Sequence, residues 1–202
     1  MVGNMNTFFV VSRLSVLSAL CLLTASLHAQ EPQEQLDQAL RVVDMVPDVS
    51  IVRSLPIDSQ SVLMAAVMDA SRPRYERQRA LSFLSMFPDA RSRSFVEGVL
   101  QDQNIDDPTL PRLALYTLAY TWGRQPDEAL LAAVANALHS PDEAMQQEAA
   151  RALRWVASPL AVQALESLVG SERTSPVLRA IAERSLQRHV GVETTADPVL
   201  SP

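Results

Sequence analysis

Residues 140–170 read SPDEAMQQEAARALRWVASPLAVQALESLVG. Ser140, Pro141 and Glu143 spell a helix start. Ser can cap, Pro suits the first helical position, and Glu three residues after Ser completes a capping box. Met145, Ala149, Ala152, Leu153 and Val156 then recur on one face at the helical period. Glu143, Gln146, Gln147, Arg151 and Arg154 take the opposite face. Ser158-Pro159 stops this helix and opens a second, with Val162, Leu165, Leu168 and Val169 inward and Gly170 as its terminator. The segment is predicted to be a helical hairpin with two buried stripes.

The same unit recurs on either side. Pro56, Pro73, Pro88, Pro108, Pro126, Pro141, Pro159 and Pro176 follow one another at intervals of 15 to 20 residues, a helix plus a turn each. Ala80, Leu84 and Val96 precede Ala149, Leu153 and Leu165 by 69 residues. Ala114, Leu118 and Tyr120 precede Ala149, Leu153 and Trp155 by 35. A last helix from Pro176 to about His189 carries Leu178, Ile181, Ala182 and Leu186. A hairpin of this kind cannot bury its apolar face alone, so the hairpins must stack. The expected fold is all-α, a right-handed α-solenoid of about four hairpins over residues 56–190. A helix from Glu34 to Met45, within residues 30–55, is predicted to cap its open end through Leu36, Leu40 and Val43. Residues 191–202 lack periodicity and are expected to fray.

Glu148-Ala149-Ala150-Arg151-Ala152-Leu153, a short turn, and Ala161-Val162-Gln163-Ala164-Leu165 together resemble a HEAT repeat. The unit is most similar to the short variety in phycobilin-lyase-type proteins, and the resemblance covers roughly residues 56–189. That family often has Asp at the hairpin turn; here Ser158 stands in one unit and Asp89 in another. Tetratricopeptide repeats share the length, but their Trp and Gly-Tyr spacing is absent. The resemblance implies an architecture and no single activity.

The N-terminus carries an address. Arg13 is the only charge ahead of the mostly apolar run Leu14–Leu27, and Ala29 precedes the polar Gln30-Glu31-Pro32. Residues 1–29 are expected to be a secretory signal peptide cut after Ala29, so the protein is exported, periplasmic or secreted. The run is shorter than the ~20 apolar residues that a spanning helix needs, so no membrane span is expected once it is cut. Cys21 is the only cysteine and leaves with the signal. Thiol chemistry is thereby excluded from the mature chain, while an oxidising compartment is tolerated. The chain has a net charge of −6, and loss of Arg13 makes it one unit more negative. Nucleic acid is therefore not an expected partner. All 17 basic residues are arginine.

Arg72, Arg74, Arg77, Arg79, Arg91 and Arg93 form the one local basic cluster. It could hold a small anion or an acidic glycan. Glu97, Asp102, Asp106 and Asp107 follow it and can neutralise it. Asp102 to Asp107 imitates the start of a calcium loop, but Asp107 stands where Gly is needed and Leu113 where the bidentate Glu belongs. Asp107 is better read as the cap of a helix opened by Pro108. A carboxylate-dependent enzyme on that loop would need two carboxylates facing one cleft. Tyr116, Tyr120, Trp122 and Trp155 are expected as packing, because Tyr120 and Trp155 share a repeat position with Met86. His139 and His189 lie in different predicted elements, so no metal site is expected. No cofactor and no catalytic residue is expected either. The chain is read as a non-enzymatic module that presents a concave surface to a protein or peptide. Arg93, Glu97, Glu128, Asn136, Gln163 and Glu166 on the second helices are its expected contacts.

Overall fold

The computed structural model of the chain describes residues 34–41, Val52 and residues 58–189. The proposed signal segment, residues 42–45 of the first predicted helix with Val43, and the tail from 191 onward lie outside the described residues. The chain divides into two compact units, Met1–Val62 and Leu63–Pro202. In the first, helix α1 spans 34–41 and buries Leu36 and Leu40 completely. Ser59 donates to the carbonyl of Val52 at 3.1 Å. Asp58 starts helix α2 (Ser59–Met68) by accepting from the amide and hydroxyl of Ser61.

The second unit takes over within α2 and continues through α3 (Arg74–Phe83), α4 (Ala90–Gln101), α5 (Thr109–Trp122), α6 (Glu128–Leu138), α7 (Glu143–Ala152), α8 (Pro159–Gly170) and α9 (Pro176–Gln187). Single 3-10 turns, Leu84–Met86 and Leu153–Trp155, extend α3 and α7. The described residues contain no strand. The fold is an all-α solenoid of HEAT-like hairpins, as the periodicity predicts.

Short polar side chains set the helix starts. Asp89, Asp127, Ser158 and Ser175 each accept a backbone N–H in the first turn of α4, α6, α8 and α9, satisfying donors that a helix leaves open. Asp107 does the same for Thr109 at the head of α5. Two local expectations change. The cap of α7 is Asp142, whose carboxylate accepts from Ala144, while the Ser140 hydroxyl accepts from the amide of Asp142. Ser140-Pro141 is thus a turn leading to the cap, and the capping box does not form. Gly170 is the last residue of α8 and Ser171 its cap; no described glycine has a positive φ, so no left-handed terminator is used.

Two rows of helices result. The first helices of the repeats, α3, α5, α7 and α9, pack side by side, and Ala80, Ala114, Ala149 and Ala182 on them are fully buried. Small side chains let neighbouring helix axes approach closely. The second helices, α4, α6 and α8, lie against α5, α7 and α9 respectively, but approach one another much less. They contribute Val96, Val99, Leu130, Val134, Ala161 and Leu165 to the core. Each such Val or Leu stabilises the fold by roughly 1.5–3 kcal/mol. The unit read as one hairpin, α7 followed by α8, is therefore packed less tightly within itself than α8 is on the following α9.

Caps also join the repeats. Gln78 of α3 donates to Asp107 ahead of α5, Arg112 of α5 to Asp142 ahead of α7, and Arg93 of α4 to Asp127 ahead of α6. Behind Trp122, the Gly123 carbonyl accepts from the amide of Ala157 at 2.7 Å, and the carbonyl of Trp155 crosses directly above Gly123.

Candidate binding face

The basic cluster resolves into structural pairs. Arg77 is only 2 % exposed. Its Nε donates to the carbonyl of Val67 at 2.8 Å, and its two terminal nitrogens grip the two oxygens of Asp106 at 2.8 and 2.7 Å. Arg72 pairs with Asp69 and Glu76. Arg93 holds Glu97 at 2.9 Å and both oxygens of Asp127 at 2.7 and 2.6 Å. Arg79 lies over the Phe83 ring at 5.4 Å. Arg74 and Arg91 are exposed. Through these pairs the cluster stitches α2, α3, α4 and the turns that follow.

The acidic loop is occupied in the same way. Asp102 accepts from the amide of Asn104, Asp106 is held by Arg77, and Asp107 is fully buried against Thr109 and Gln78. Among the described residues no three His, Cys, Asp or Glu side chains gather where they could hold a metal ion.

These pairings make four aspartates more acidic than usual. Arg77 lowers Asp106, Arg93 lowers Asp127, and the Ser71 hydroxyl and amide lower Asp69. For Asp107 burial pushes upward, but Thr109, Gln78 and Arg74 outweigh it and the net direction is down. A carboxyl with a lower value folded than unfolded adds stability above the ordinary range near 3.8 and loses it as the pH falls through the native value. The melting temperature is accordingly expected to hold steady above about pH 5 and to fall on acidification below about pH 4. Arg93→Gln should flatten that fall. Thermal melts between pH 2 and 7 check both.

The row of first helices carries a different surface. Tyr116 and Tyr120, one turn apart on α5, stack with centroids 6.3 Å apart. Trp155, at the end of α7, meets Tyr120 edge-on at 5.0 Å. Arg154 lies over the Trp155 ring at 4.7 Å and the Tyr116 ring at 5.6 Å, and both Arg154 and the Trp155 indole donate to the Tyr116 hydroxyl, at 2.7 and 3.1 Å. The sequence reading of these aromatics as packing is right for their contacts with one another. It missed that Tyr120 remains 51 % exposed.

Two clefts flank this cluster. Toward α3, one of about 200 Å³ is lined by Ser82, Ser85, Leu113, Tyr116, Thr117 and Tyr120. Between α7 and α9, one of about 160 Å³ is lined by Arg151, Arg154, Ile181, Arg184, Ser185 and Arg188. Sequence reasoning assigned Arg151 and Arg154 to the polar face of a helix and did not single out the other two arginines. The available signal was the repeat: Arg151 and Arg184 are 33 residues apart, Arg154 and Arg188 are 34.

The expected second-helix contacts lie elsewhere. Glu128, Asn136, Gln163 and Glu166 are exposed on α6 and α8, and Glu97 is engaged by Arg93. Asn136, with His139, Met145 and Gln101, lines a wide cleft of about 540 Å³ between α4, α6 and the start of α7. These residues do not join the aromatic and arginine strip.

HEAT repeats match residues 104–187, the part of the chain from the α5 turn to the end of α9. Over that stretch, with its paired helices and repeat-aligned core, the chain is similar to HEAT repeats. The crystal structure of an engineered protein, a Northeast Structural Genomics Consortium target, is 22 % identical over 79 % of this chain and 71 % of that one, with a TM-score of 0.44. No curated protein matches the chain in sequence. Among the described residues, no helix is long and apolar enough to cross a membrane.

Proposed function

We propose that the protein is an exported, non-enzymatic scaffold that binds a protein partner on the row of first helices. The half-exposed Tyr120, set in an aromatic cluster braced by Arg154, carries this reading. Large aromatic side chains held rigid at a surface supply contact area at little entropic cost and recur as anchors of interfaces. HEAT-like repeats suit this use because stacking produces an extended face without requiring chemistry from it. The Arg72–Arg93 cluster is a poorer anion site, since its best-placed members already hold carboxylates. Export rests on the Arg13, Leu14–Leu27 and Ala29 pattern.

A photo-reactive amino acid in place of Tyr120, in cells that make the protein, is expected to crosslink one discrete partner in the envelope or secreted fraction. The same label at Glu166, on the other row, should not. Equal crosslinking at both positions, or none at either, would overturn the scaffold reading. The N-terminal sequence of the recovered protein is expected to begin at Gln30; an intact Met1 end in the cytosol would remove export.

A further inference from the structure

We infer that the cleft between α7 and α9 is an anion pocket that takes a carboxylate side chain from an acidic segment of the partner protein, a step that rests on the scaffold reading. Arg151, Arg154, Arg184 and Arg188 border it, with Ser185 and Ile181. The distribution of counter-charge distinguishes this cluster from Arg72, Arg77, Arg93 and Arg112, each of which holds a carboxylate. Here Glu148 pairs with Arg151, and Arg154, Arg184 and Arg188 pair with no carboxylate among the described residues. Three guanidinium groups around one small cleft repel one another until an anion enters.

Arg154 is also pre-positioned. The Trp155 and Tyr116 rings fix its plane, one terminal nitrogen is engaged by the Tyr116 hydroxyl, and its Nε is shielded from solvent without a hydrogen-bond partner. A guanidinium fixed in advance loses little freedom on binding and offers its remaining donors as a planar fork to carboxylate oxygens. Arg184 is anchored through its Nε to the carbonyl of Ala180. Ser185, only 4 % exposed at the floor, brings a hydroxyl.

Size and setting favour a peptide. A cleft of about 160 Å³ suits a compact anionic group such as a carboxylate. Through Arg154 the pocket continues into the Tyr116, Tyr120 and Trp155 cluster, so a ligand with an acidic residue a few positions from an apolar one would cover both. A free anion would use the pocket alone. In a chain of net charge −6, a cleft lined by four arginines is a local site of positive charge that would favour an acidic partner segment.

The test uses the full chain and its Arg184→Ala/Arg188→Ala variant, both positions being exposed, Arg184 on α9 and Arg188 at its C-terminal cap. The probes are a fluorescein-labelled peptide with glutamates flanking a tryptophan, the same peptide with every Glu replaced by Gln, inorganic phosphate as competitor, and phosphatidylglycerol vesicles. The Glu peptide is expected to bind at least about tenfold more tightly than the Gln peptide, and the variant to lose that preference. Binding should weaken with added salt. Equal affinity for the two peptides, no binding of either, an unchanged variant, or stronger binding of vesicles or phosphate than of the Glu peptide would each overturn the inference. A partner crosslinked at position 120 and retained by the Arg184→Ala/Arg188→Ala variant would leave the scaffold standing and the anion pocket refuted.

Discussion

Gly123→Ala is expected to lower the melting temperature by about 4–10 °C, a loss of roughly 1–3 kcal/mol for forcing a side chain into a close-packed contact. A Cβ on Gly123 would run into the carbonyl oxygen of Ala119 and lie 2.5 Å from that of Trp155, with the Trp155 carbonyl carbon at 2.9 Å. These atoms are backbone and cannot rotate away. The main chain would have to separate α5 from the end of α7, straining the bond from Ala157 to the Gly123 carbonyl and moving Trp155 away from Tyr120. The effect should therefore reach the binding face as well as stability. Gly98→Ala is the matched control. Nothing lies within 4 Å of its added methyl, and Gly98 sits inside α4. Alanine there should stabilise by about 0.5–1 kcal/mol through helix propensity. Thermal melts followed by circular dichroism compare the two; an unchanged Gly123→Ala melt would mean that the repeats do not approach as closely as described.

Arg77→Met should destabilise by a similar amount, about 1–3 kcal/mol, although methionine nearly fills the volume. Arg77 closes three elements at once: it caps the last turn of α2 through the Val67 carbonyl, belongs to α3, and fastens the loop before α5 through Asp106. A carbonyl in a helix's last turn has no partner inside the helix, so losing the Nε donor leaves it buried and unsatisfied. Arg77→Lys should rescue little, because an ammonium cannot serve a carbonyl and both carboxylate oxygens in one plane. Denaturant titration with a constant slope distinguishes lost stability from a change in the unfolded chain. Equal midpoints for Arg77 and Met would show that the cap and the pair contribute nothing.

The helices were legible because their signals are local. The stripe Ala149, Ala152, Leu153 and Val156 needs only the helical period, and Ser158 and Ser175 cap from the positions that their prolines mark. The cap of α7 escaped by two residues, since Ser140-Pro141 and Asp142 are both good starts and only the turn geometry chooses Asp142. The tighter row was less legible. An alanine at positions 80, 114, 149 and 182 reads equally well as helix propensity or as a close helix–helix contact. The partners of the basic cluster were also hidden in the sequence. Clustering along the chain says nothing of partners about a repeat away, such as Asp106 for Arg77 and Asp127 for Arg93. The same blindness hid the cleft, whose arginines are split between α7 with the turn after it and α9 with its cap.

The links from Gly123 to Ala157, from Val156 to His189 and from Arg93 to Asp127 each span about one repeat. Contacts of that reach close only short loops, so this part of the chain has little long-distance ordering to complete before folding is rewarded. The solenoid should then behave as a row of coupled units, each stabilised by its immediate neighbours and fraying from its ends inward. A whole helical pair could be inserted or deleted between Gly123 and Ser158 with the junction chemistry conserved, which gives this architecture a way to change the length of its working face without redesigning its core.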